Sequence, residues 1–420
     1  MQKTIVKTPT PQDFLALVPQ LVGFLPQQSL VLVAFRGNHT CGALRFNLPR
    51  DGAGAAELRR IAGTLLGTLC KIPGVDALVP VVYTEQEIGD EQAGAATDLP
   101  QGAFLRAIQA RAGESGFLVR DALCVAADGW ASYLDLDPGP GRGRPGRAPD
   151  GAARRAVRHP LSDIAASSVA EDIPAGSRRQ IATLQTGAEL PKVDLATRER
   201  CARRLARYQR LGPDLGPIPE LIEMVGDMLD PVGTAETVLG LNPAELSINE
   251  VAALLFLMQG PATRDQMMLQ FAFGEEEGRR SHDLNRHYAR RQRETGLDMD
   301  ALVEADMAAG RAWEQTTPTT GDLMLGLSPQ RPDPERVLRG IRLLKLLVAM
   351  APRAARPAPL CMLAWLSWTL GQGSVAGIYI DTALDIDPEY GMALLLLQVL
   401  GSGHLPEWAF EVPVDEAATD

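Results

Sequence analysis

The chain has 420 residues, 45% hydrophobic and 22% charged, which fits two or three globular domains and excludes wholesale disorder. Its formal net charge is -11. No apolar run approaches the length of about 18 residues typical of a membrane span, and the first residues lack the apolar core of a signal peptide, so we expect a cytoplasmic protein.

The first third of the chain alternates helical and β-rich patterns. In chain order these are helix 11–23, strands 29–35 and 43–48, helix 55–70, strand 75–83, helix 99–112, and strands 117–126 and 130–136. Turns at Gly37-Asn38-His39 and Asp128-Gly129 predict two hairpins. The run 75–83 is apolar without alternation, which predicts an inner strand buried on both faces. We therefore predict a mixed α/β sheet domain over residues 1–137.

A segment rich in Gly, Pro and Arg follows, and the sequence predicts a loop or linker at 138–160. Beyond it, residues 161–420 favour helix almost throughout. The clearest helix start is a capping box, in which Ser247 is followed three residues later by Glu250, and Gly260-Pro261 ends that helix. Its residues 251–258 are apolar all round, which predicts a central position in a second core.

The C-terminal part has the spacing of half a tetratricopeptide repeat. The small or terminating residues that carry this spacing are Ala364, Gly371, Ala376, Ile380, Ala383 and Pro388. A single repeat cannot bury its faces alone, so we expect a tetratricopeptide-like helical hairpin at 360–401, docked on neighbouring helices, rather than a solenoid. The overall fold class is thus α+β, with an N-terminal mixed sheet domain followed by an all-helical domain that ends in this hairpin. The tryptophans at 365, 368 and 408 are expected in the core.

Signatures of metal, cofactor and nucleophilic chemistry are missing from the sequence. The chain has five widely spaced cysteines, none of which belongs to a CxxC pair. They are Cys41, Cys70, Cys124, Cys201 and Cys361. We expect reduced, unligated thiols, no metal and no cofactor. His282 and His287 are five apart and so not on one helix face. Residues 141–146 match a dinucleotide fingerprint only in letters, since no strand-to-helix turn surrounds them.

Acidic residues near the turns of the first domain allow two interpretations. One interpretation is a pair of carboxylates for acid/base chemistry, and the other is a set of turn residues, which we favour because aspartate is common in turns. The residues concerned are Asp121, Asp128, Asp135 and Asp137. Asp51 in the Asp51-Gly52-Ala53-Gly54 loop is interpreted as a helix cap rather than part of an anion site. An enzyme should instead show a concave pocket near Asp51, Glu85, Asp128 or Asp135.

Positive charge is concentrated in one region. Residues 138–210 hold fifteen Lys or Arg against seven Asp or Glu, on a chain that is otherwise strongly acidic. The candidate anion-binding residues are Arg200, Arg203, Arg204 and Arg207, on a helix whose Leu195, Ala202, Leu205 and Tyr208 can pack inward. If these arginines pair with carboxylates of the body, the patch disappears. A second arginine stripe at 279–293 is interpreted as a self-neutralised, solvated face.

Three stretches resemble a known family. They are the run from Asp13 to Pro26 with Ser29-Leu30-Val31-Leu32-Val33, then Arg120-Asp121-Ala122-Leu123 with Trp130-Ala131-Ser132-Tyr133-Leu134, and finally Leu363-Ala364-Trp365-Leu366-Ser367-Trp368 through Pro388. In this order they resemble the actinobacterial domain of unknown function 4192 over almost the whole chain. The resemblance implies membership and no particular activity.

From these observations we expect a cytoplasmic binding or scaffold protein without a recognisable catalytic motif. The alternative is an enzyme acting on a small anionic substrate in a cleft between the sheet and the helical domain. A protein or another anionic molecule is the expected partner, nucleic acid stays open, and no membrane is expected.

Overall fold

The computed structural model describes residues 6–88, 99–136, 157–173, 187–210, 230–310, 318–401 and 405–410. Contacts divide the chain into two units, Met1–Leu184 with Val412–Asp420, and Gln185–Glu411. The described sheet lies in the first unit, and the described part of the second unit consists of helices. The predicted α+β class is therefore confirmed. Residues 138–156 of the expected linker lie outside the described residues.

The first unit contains one mixed sheet. Its helices are α1 (Pro11–Val22), α2 (Ala55–Leu69), α3 (Gly102–Glu114) and α4 (Leu161–Ala165), and its strands are β1 (Ser29–Arg36), β2 (His39–Asn47), β3 (Ala77–Tyr83), β4 (Leu118–Val119), β5 (Leu123–Val125) and β6 (Trp130–Ser132). The strand order is β2-β1-β3-β5-β6, with β4 also paired to β3. β1 is antiparallel to β2 and β3, β3 is parallel to β4 and β5, and β5 is antiparallel to β6. Both predicted hairpins are confirmed.

Strand β3 is the centre of this sheet. All seven of its residues are buried, and it lies between β1 and β5, which confirms the predicted inner strand. Leu78 and Val82 point into a core shared with α2 and α3. Val79 and Val81 point into a second core shared with α1. Because β3 has no polar side, helices must cover both faces of the sheet.

The predicted strand 117–126 is wrong in one respect, since it forms two short strands, β4 and β5. The Asp121 carboxylate accepts hydrogen bonds from the Ala122 amide at 2.7 Å and from the Ser132 hydroxyl at 2.7 Å. Between β4 and β5 the register with β3 shifts by one residue, since Ala77 pairs with Leu118 but Val81 pairs with Leu123, and Pro80 of β3 has no N–H to donate to the ladder. Strand β6 likewise ends at Ser132, and a 3-10 turn covers Tyr133–Leu136.

Helix α4 belongs to the first unit, where it contacts α1. The sequence pattern assigns all residues from 161 onward to the helical domain. The Ser167 hydroxyl donates to the Asp13 carboxylate at 2.7 Å, next to α1. Val169 and Ile173 share a small apolar cluster with Leu17 of α1. The described residues after the expected linker, up to Ile173, therefore contact α1 of the first unit.

The second unit is a set of packed helices. They are α5 (Leu195–Arg210), α6 (Pro231–Gly240), α7 (Ile248–Gln259), α8 (Pro261–Phe273), α9 (Glu275–Thr295), α10 (Met299–Ala308), α11 (Thr320–Leu325), α12 (Pro334–Met350), α13 (Pro357–Thr369), α14 (Gly373–Ile386) and α15 (Gly391–Gly401). The capping box at the start of α7 is confirmed, since Ser247 and Glu250 bind each other's backbone amides. Within the described ranges, none of the helices combines the length and apolar character that a membrane crossing needs.

Helix α13 is the most deeply buried element of this unit, since every one of its residues is buried. It forms a helical hairpin with α14, and α15 contacts both. Trp365, Trp368 and Trp408 are at most 3% exposed, as expected of core residues. Phe273 makes edge contacts with Trp365 and Trp408, which ties α8 to this hairpin region.

Gly340, in α12, lies where helices approach each other closely in this core. A Cβ atom placed there would lie 2.9 Å from Phe271 Cδ2 and 3.2 Å from Leu366 Cδ1, and both side chains are fully buried. Gly377, in α14, offers a contrast, since its Cβ would meet nothing within 4 Å. Both glycines lie inside helices, where alanine is intrinsically the better residue.

We predict opposite effects for the same substitution at these two sites. Gly340→Ala should lower the free energy of unfolding by about 1–3 kcal/mol, because Phe271 and Leu366 cannot move aside in a packed core. Gly377→Ala should raise it by about 0.5–1 kcal/mol. Urea denaturation followed by circular dichroism measures both, and a stabilised Gly340→Ala protein would contradict the described packing.

Candidate functional site

The arginines predicted to bind an anion lie on α5, an amphipathic helix. Its buried face consists of Cys201, Leu205 and Tyr208, and α5 packs on α7. With about 100° between successive residues, positions 200, 203 and 207 fall on the opposite side. Arg200, Arg203 and Arg207 are accordingly exposed, whereas Arg204 at the border is half-buried.

The four predicted arginines differ in their partners. Arg203 pairs with Glu199 at 2.8 Å, whereas Arg200 donates to the Thr197 hydroxyl at 3.0 Å. Arg204 donates to the Asn249 carboxamide at 2.6 Å, and its guanidinium lies 6.0 Å from the Tyr208 ring centroid. In the part of the chain that the structure describes, Arg207 has no hydrogen-bond or ion-pair partner. One of the four is therefore paired with a carboxylate.

The arginine-rich loop before α5 contributes one described arginine, Arg158. It pairs with Asp128 at 2.8 Å and so does not add free charge to the basic region. Burial alone would raise the pKa of Asp128, but bonds from the Ile88 amide and the Arg158 guanidinium outweigh it and hold that pKa below its ordinary value. Residues 142, 144, 147, 154 and 155, which are also arginines, lie outside the described residues.

The second arginine stripe lies on α9. Arg279 pairs with Glu275 at 2.5 Å, so the interpretation of a self-neutralised face agrees with the structure at this position. Arg286, Arg290 and Arg293 are exposed and have no carboxylate partner among the described residues. This stripe thus supplies a charge-matched comparison for α5.

A polar cleft opens at one end of the sheet in the first unit. It has a volume of about 260 Å³ and is lined by Gln28, Asn47, Leu48, Pro49, Arg50, Asp51, Thr84, Gln86 and Gln101. Gln28 precedes β1, Asn47 ends β2, Thr84 follows β3, and Gln101 precedes α3. The cleft therefore lies at the carboxyl end of β3, the end of an α/β sheet where ligands usually bind.

Hydrogen bonds fix several side chains of the cleft. The Asp51 carboxylate oxygen Oδ1 accepts from Gln86 Nε2 at 3.2 Å and from Gln101 Nε2 at 3.4 Å. Gln28 Oε1 accepts from the Glu85 amide at 3.0 Å, and the Thr84 hydroxyl accepts from the Gln86 amide at 3.2 Å. Asp51 thus joins the segments that follow β2 and β3 to the start of α3.

The interpretation of Asp51 as a helix cap is wrong. Helix α2 has Gly54 at its N-cap position, without any side-chain cap. The carboxylate of Asp51 is occupied by the two glutamines instead. The glutamines at 28, 86 and 101 were missed by sequence reasoning, because they belong to no motif and lie up to 73 positions apart in the chain.

The remaining acidic candidates have structural partners. Asp121 binds Ala122 and Ser132, and Asp128 binds Ile88 and Arg158. Both contacts agree with the interpretation of turn residues. Asp137 lies outside the described residues, and the side chain of Asp135 is also undescribed.

The buried thiols are poor nucleophiles. Burial raises the pKa of Cys124 and of Cys201 to about 11, and that of Cys361 to about 12. Cys41 is half-buried and Cys70 is exposed, and all five cysteines are separate thiols. Within the described part of the chain, His, Cys, Asp and Glu side chains form no group of three that could hold a metal ion.

Comparison with known proteins gave one result. A family model described as a domain of unknown function (DUF4192) matches residues 11–407. No curated protein and no solved structure matches the chain.

We predict a single fast-reacting thiol in the native protein. At pH 8, a disulfide reagent such as Ellman's should modify Cys70 at least about a hundredfold faster than the three buried cysteines, which are protonated and shielded. Stopped-flow absorbance measures the rate, and Cys70→Ser should remove the fast phase. Five thiols should titrate after denaturation without reductant. A fast phase that survives Cys70→Ser, or fewer than five thiols, would contradict the described environments.

Proposed function

The chain belongs to the family of the domain of unknown function (DUF4192), and this membership implies no particular activity, so we propose a function from the geometry of the chain itself. We propose that the protein binds a polyanion. The contact surface is the exposed face of α5, with Arg200, Arg203 and Arg207 facing the partner and Arg204 beside them. The partner class that this face fits best is nucleic acid, bound through its phosphates.

The observation that carries this proposal is the shortage of carboxylates around the arginines. The residues of α5 include six arginines and one carboxylate, Glu199, which pairs with Arg203. Arg200 and Arg204 bind neutral side chains, although Asp194 before the helix also attracts Arg200. Arg207 has no hydrogen-bond or ion-pair partner among the described residues. Cations that stay unneutralised on an acidic protein produce a local positive potential. Such a potential attracts anions over about a Debye length, roughly 8 Å at physiological salt.

The dimensions of the face support a phosphate backbone as partner. At about 1.5 Å of rise per residue, positions 200 to 210 span about 15 Å. A nucleic acid strand places about four phosphates in that length, at about 3.4 Å each. Leu195, which the sequence placed on the inner side, is 79% exposed at the start of α5. From position 200 to 210 the exposed side carries arginines and no large apolar side chain, whereas a protein partner would bury an apolar or aromatic centre. Contact through charge alone is typical of sequence-independent nucleic acid binding.

The helical hairpin α13–α14 is proposed as the scaffold of the second unit, and its kind as tetratricopeptide-like. Ala364, Ala376 and Ala383 are fully buried, and small residues of this kind let two helices approach closely. Gly371 in the turn has φ +76°, a conformation that favours glycine. We also propose a cytoplasmic location, which the five separate thiols support.

The alternative function, an enzyme for a small anionic substrate, has less support. A catalytic pocket needs a base or nucleophile that is free to act on the substrate. Asp51 is the carboxylate among the residues that line the polar cleft, and its Oδ1 already accepts two carboxamides. The cleft therefore favours binding over proton transfer.

We predict that the triple substitution Arg200→Gln, Arg203→Gln and Arg207→Gln weakens nucleic acid binding by at least about tenfold. The slope of log K against log salt should fall by about 2–3, since each phosphate contact contributes about 0.7–0.9. Fluorescence anisotropy with a labelled duplex and a labelled single strand, at about 50–200 mM salt, measures both quantities. Arg204 is left in place because its bond to Asn249 supports the helix packing.

The matched control is Arg286→Gln, Arg290→Gln and Arg293→Gln on α9, which removes the same charge from another exposed stripe. It should leave the affinity and the salt slope nearly unchanged, because α9 carries five carboxylates beside its six arginines, whereas α5 carries one carboxylate beside six arginines. Equal losses in both variants would mean that overall charge, and not the α5 face, governs binding. Absence of binding by the unchanged protein at low salt would refute the proposal.

A further inference from the structure

We propose that the polar cleft of the first unit binds a small uncharged ligand of nucleobase type. Such a ligand is planar and has a hydrogen-bond donor and an acceptor side by side on one edge. The site is the cleft lined by Gln28, Thr84, Gln86 and Gln101 with Asp51. It is independent of the α5 face in both residues and ligand chemistry.

The hydrogen bonds determine which groups of the glutamines stay available. Asp51 can only accept, so Gln86 and Gln101 must turn their nitrogens toward it. Each of these two carboxamides then keeps its carbonyl oxygen and one N–H. Gln28 uses its oxygen to accept from a backbone amide and keeps both N–H groups. The cleft thus offers paired donors and acceptors, already oriented by the protein.

Backbone strain is concentrated at the same place. Gln28 has φ +41° and Gln101 has φ +60°, and in the described part of the chain these are the non-glycine residues with positive φ. Glycine would adopt both conformations without steric cost. A long side chain is nevertheless present at both positions, and both side chains line the cleft. Strain that is held at a cavity wall, by residues whose side chains reach the cavity, indicates a binding role.

The size and polarity of the cleft define the ligand class. A cleft volume of about 260 Å³ suits a ligand of one or two rings. Arg50 and Asp51 contribute one charge of each sign, and the Arg50 side chain is 92% exposed. A strongly charged ligand therefore finds little to pair with. Leu48 and Pro49 add an apolar surface for a flat ring, and carboxamides form paired hydrogen bonds with the edge of adenine.

The test is isothermal titration of the intact chain with each of four ribonucleosides, adenosine, guanosine, cytidine and uridine. Glucose and free glutamine are titrated for comparison, as a sugar and an amino acid that are small and polar but are not nucleobases. We expect at least one nucleoside to bind, and Gln101→Gly to weaken that binding by about tenfold or more. The melting temperature of Gln101→Gly should not fall, because glycine relieves the positive φ at this position.

A second variant, Gln86→Ala, should weaken binding as much without altering a strained residue. Gln109→Ala, on α3 and outside the cleft, should leave binding unchanged. A purely structural role of Gln101 would appear as a lower melting temperature with unchanged affinity, and would overturn the proposal. Binding of none of the four nucleosides at millimolar concentration, or binding of glucose or glutamine instead, would overturn it as well.

Discussion

The burial of β3 on both faces is the constraint on which the first unit depends. Seven consecutive buried residues leave the strand no side that tolerates water, so α1 must cover one face and α2 with α3 the other. The chain has to leave the sheet after β2 and after β3 and return as a helix each time. Those two connections meet at the carboxyl end of β3, where Asp51 bonds to Gln86 and Gln101. The cleft is thus a consequence of how the sheet is covered.

The arginines of the second unit differ in their partners. Two half-buried ones bind carboxylates: Arg336 binds Glu236 beside the buried Gln270, and Arg291 binds Asp306 through both of its terminal nitrogens. These pairs hold neighbouring helices together, because a buried charge without its partner would destabilise the core strongly. The arginines on the outer face of α5 have mostly neutral partners. A helix whose inner face is apolar and whose outer face keeps its charge can bind an anion without disturbing the core.

The sequence allowed the elements to be predicted where one local signal dominates. The unbroken apolar run predicted β3, the Ser247 and Glu250 pair predicted the start of α7, and the buried stripe of α5 predicted which arginines face outward. It misplaced elements where strand pairing overrides the pattern, as the one-residue register shift opposite Pro80 does between β4 and β5. A pocket near Asp51 was expected for the enzyme alternative, and the cleft lies there. Its glutamines could not be predicted, because they belong to no motif and meet only through strand pairing. Positive φ values at Gln28 and Gln101 also leave no trace in composition, since glutamine gives no turn signal.

The most direct measurement of the central claim, that the carboxyl end of β3 is a ligand site, is NMR of the glutamine side-chain amides. Proton–nitrogen correlation spectra of the intact chain would be recorded while adenosine is added. The account predicts that the side-chain signals of Gln28, Gln86 and Gln101 shift together along one saturating curve, because Asp51 and the Glu85 amide hold them around one cavity. The signal of Gln109 should stay in place. Unchanged cleft signals, or shifts confined to glutamines elsewhere, would contradict it.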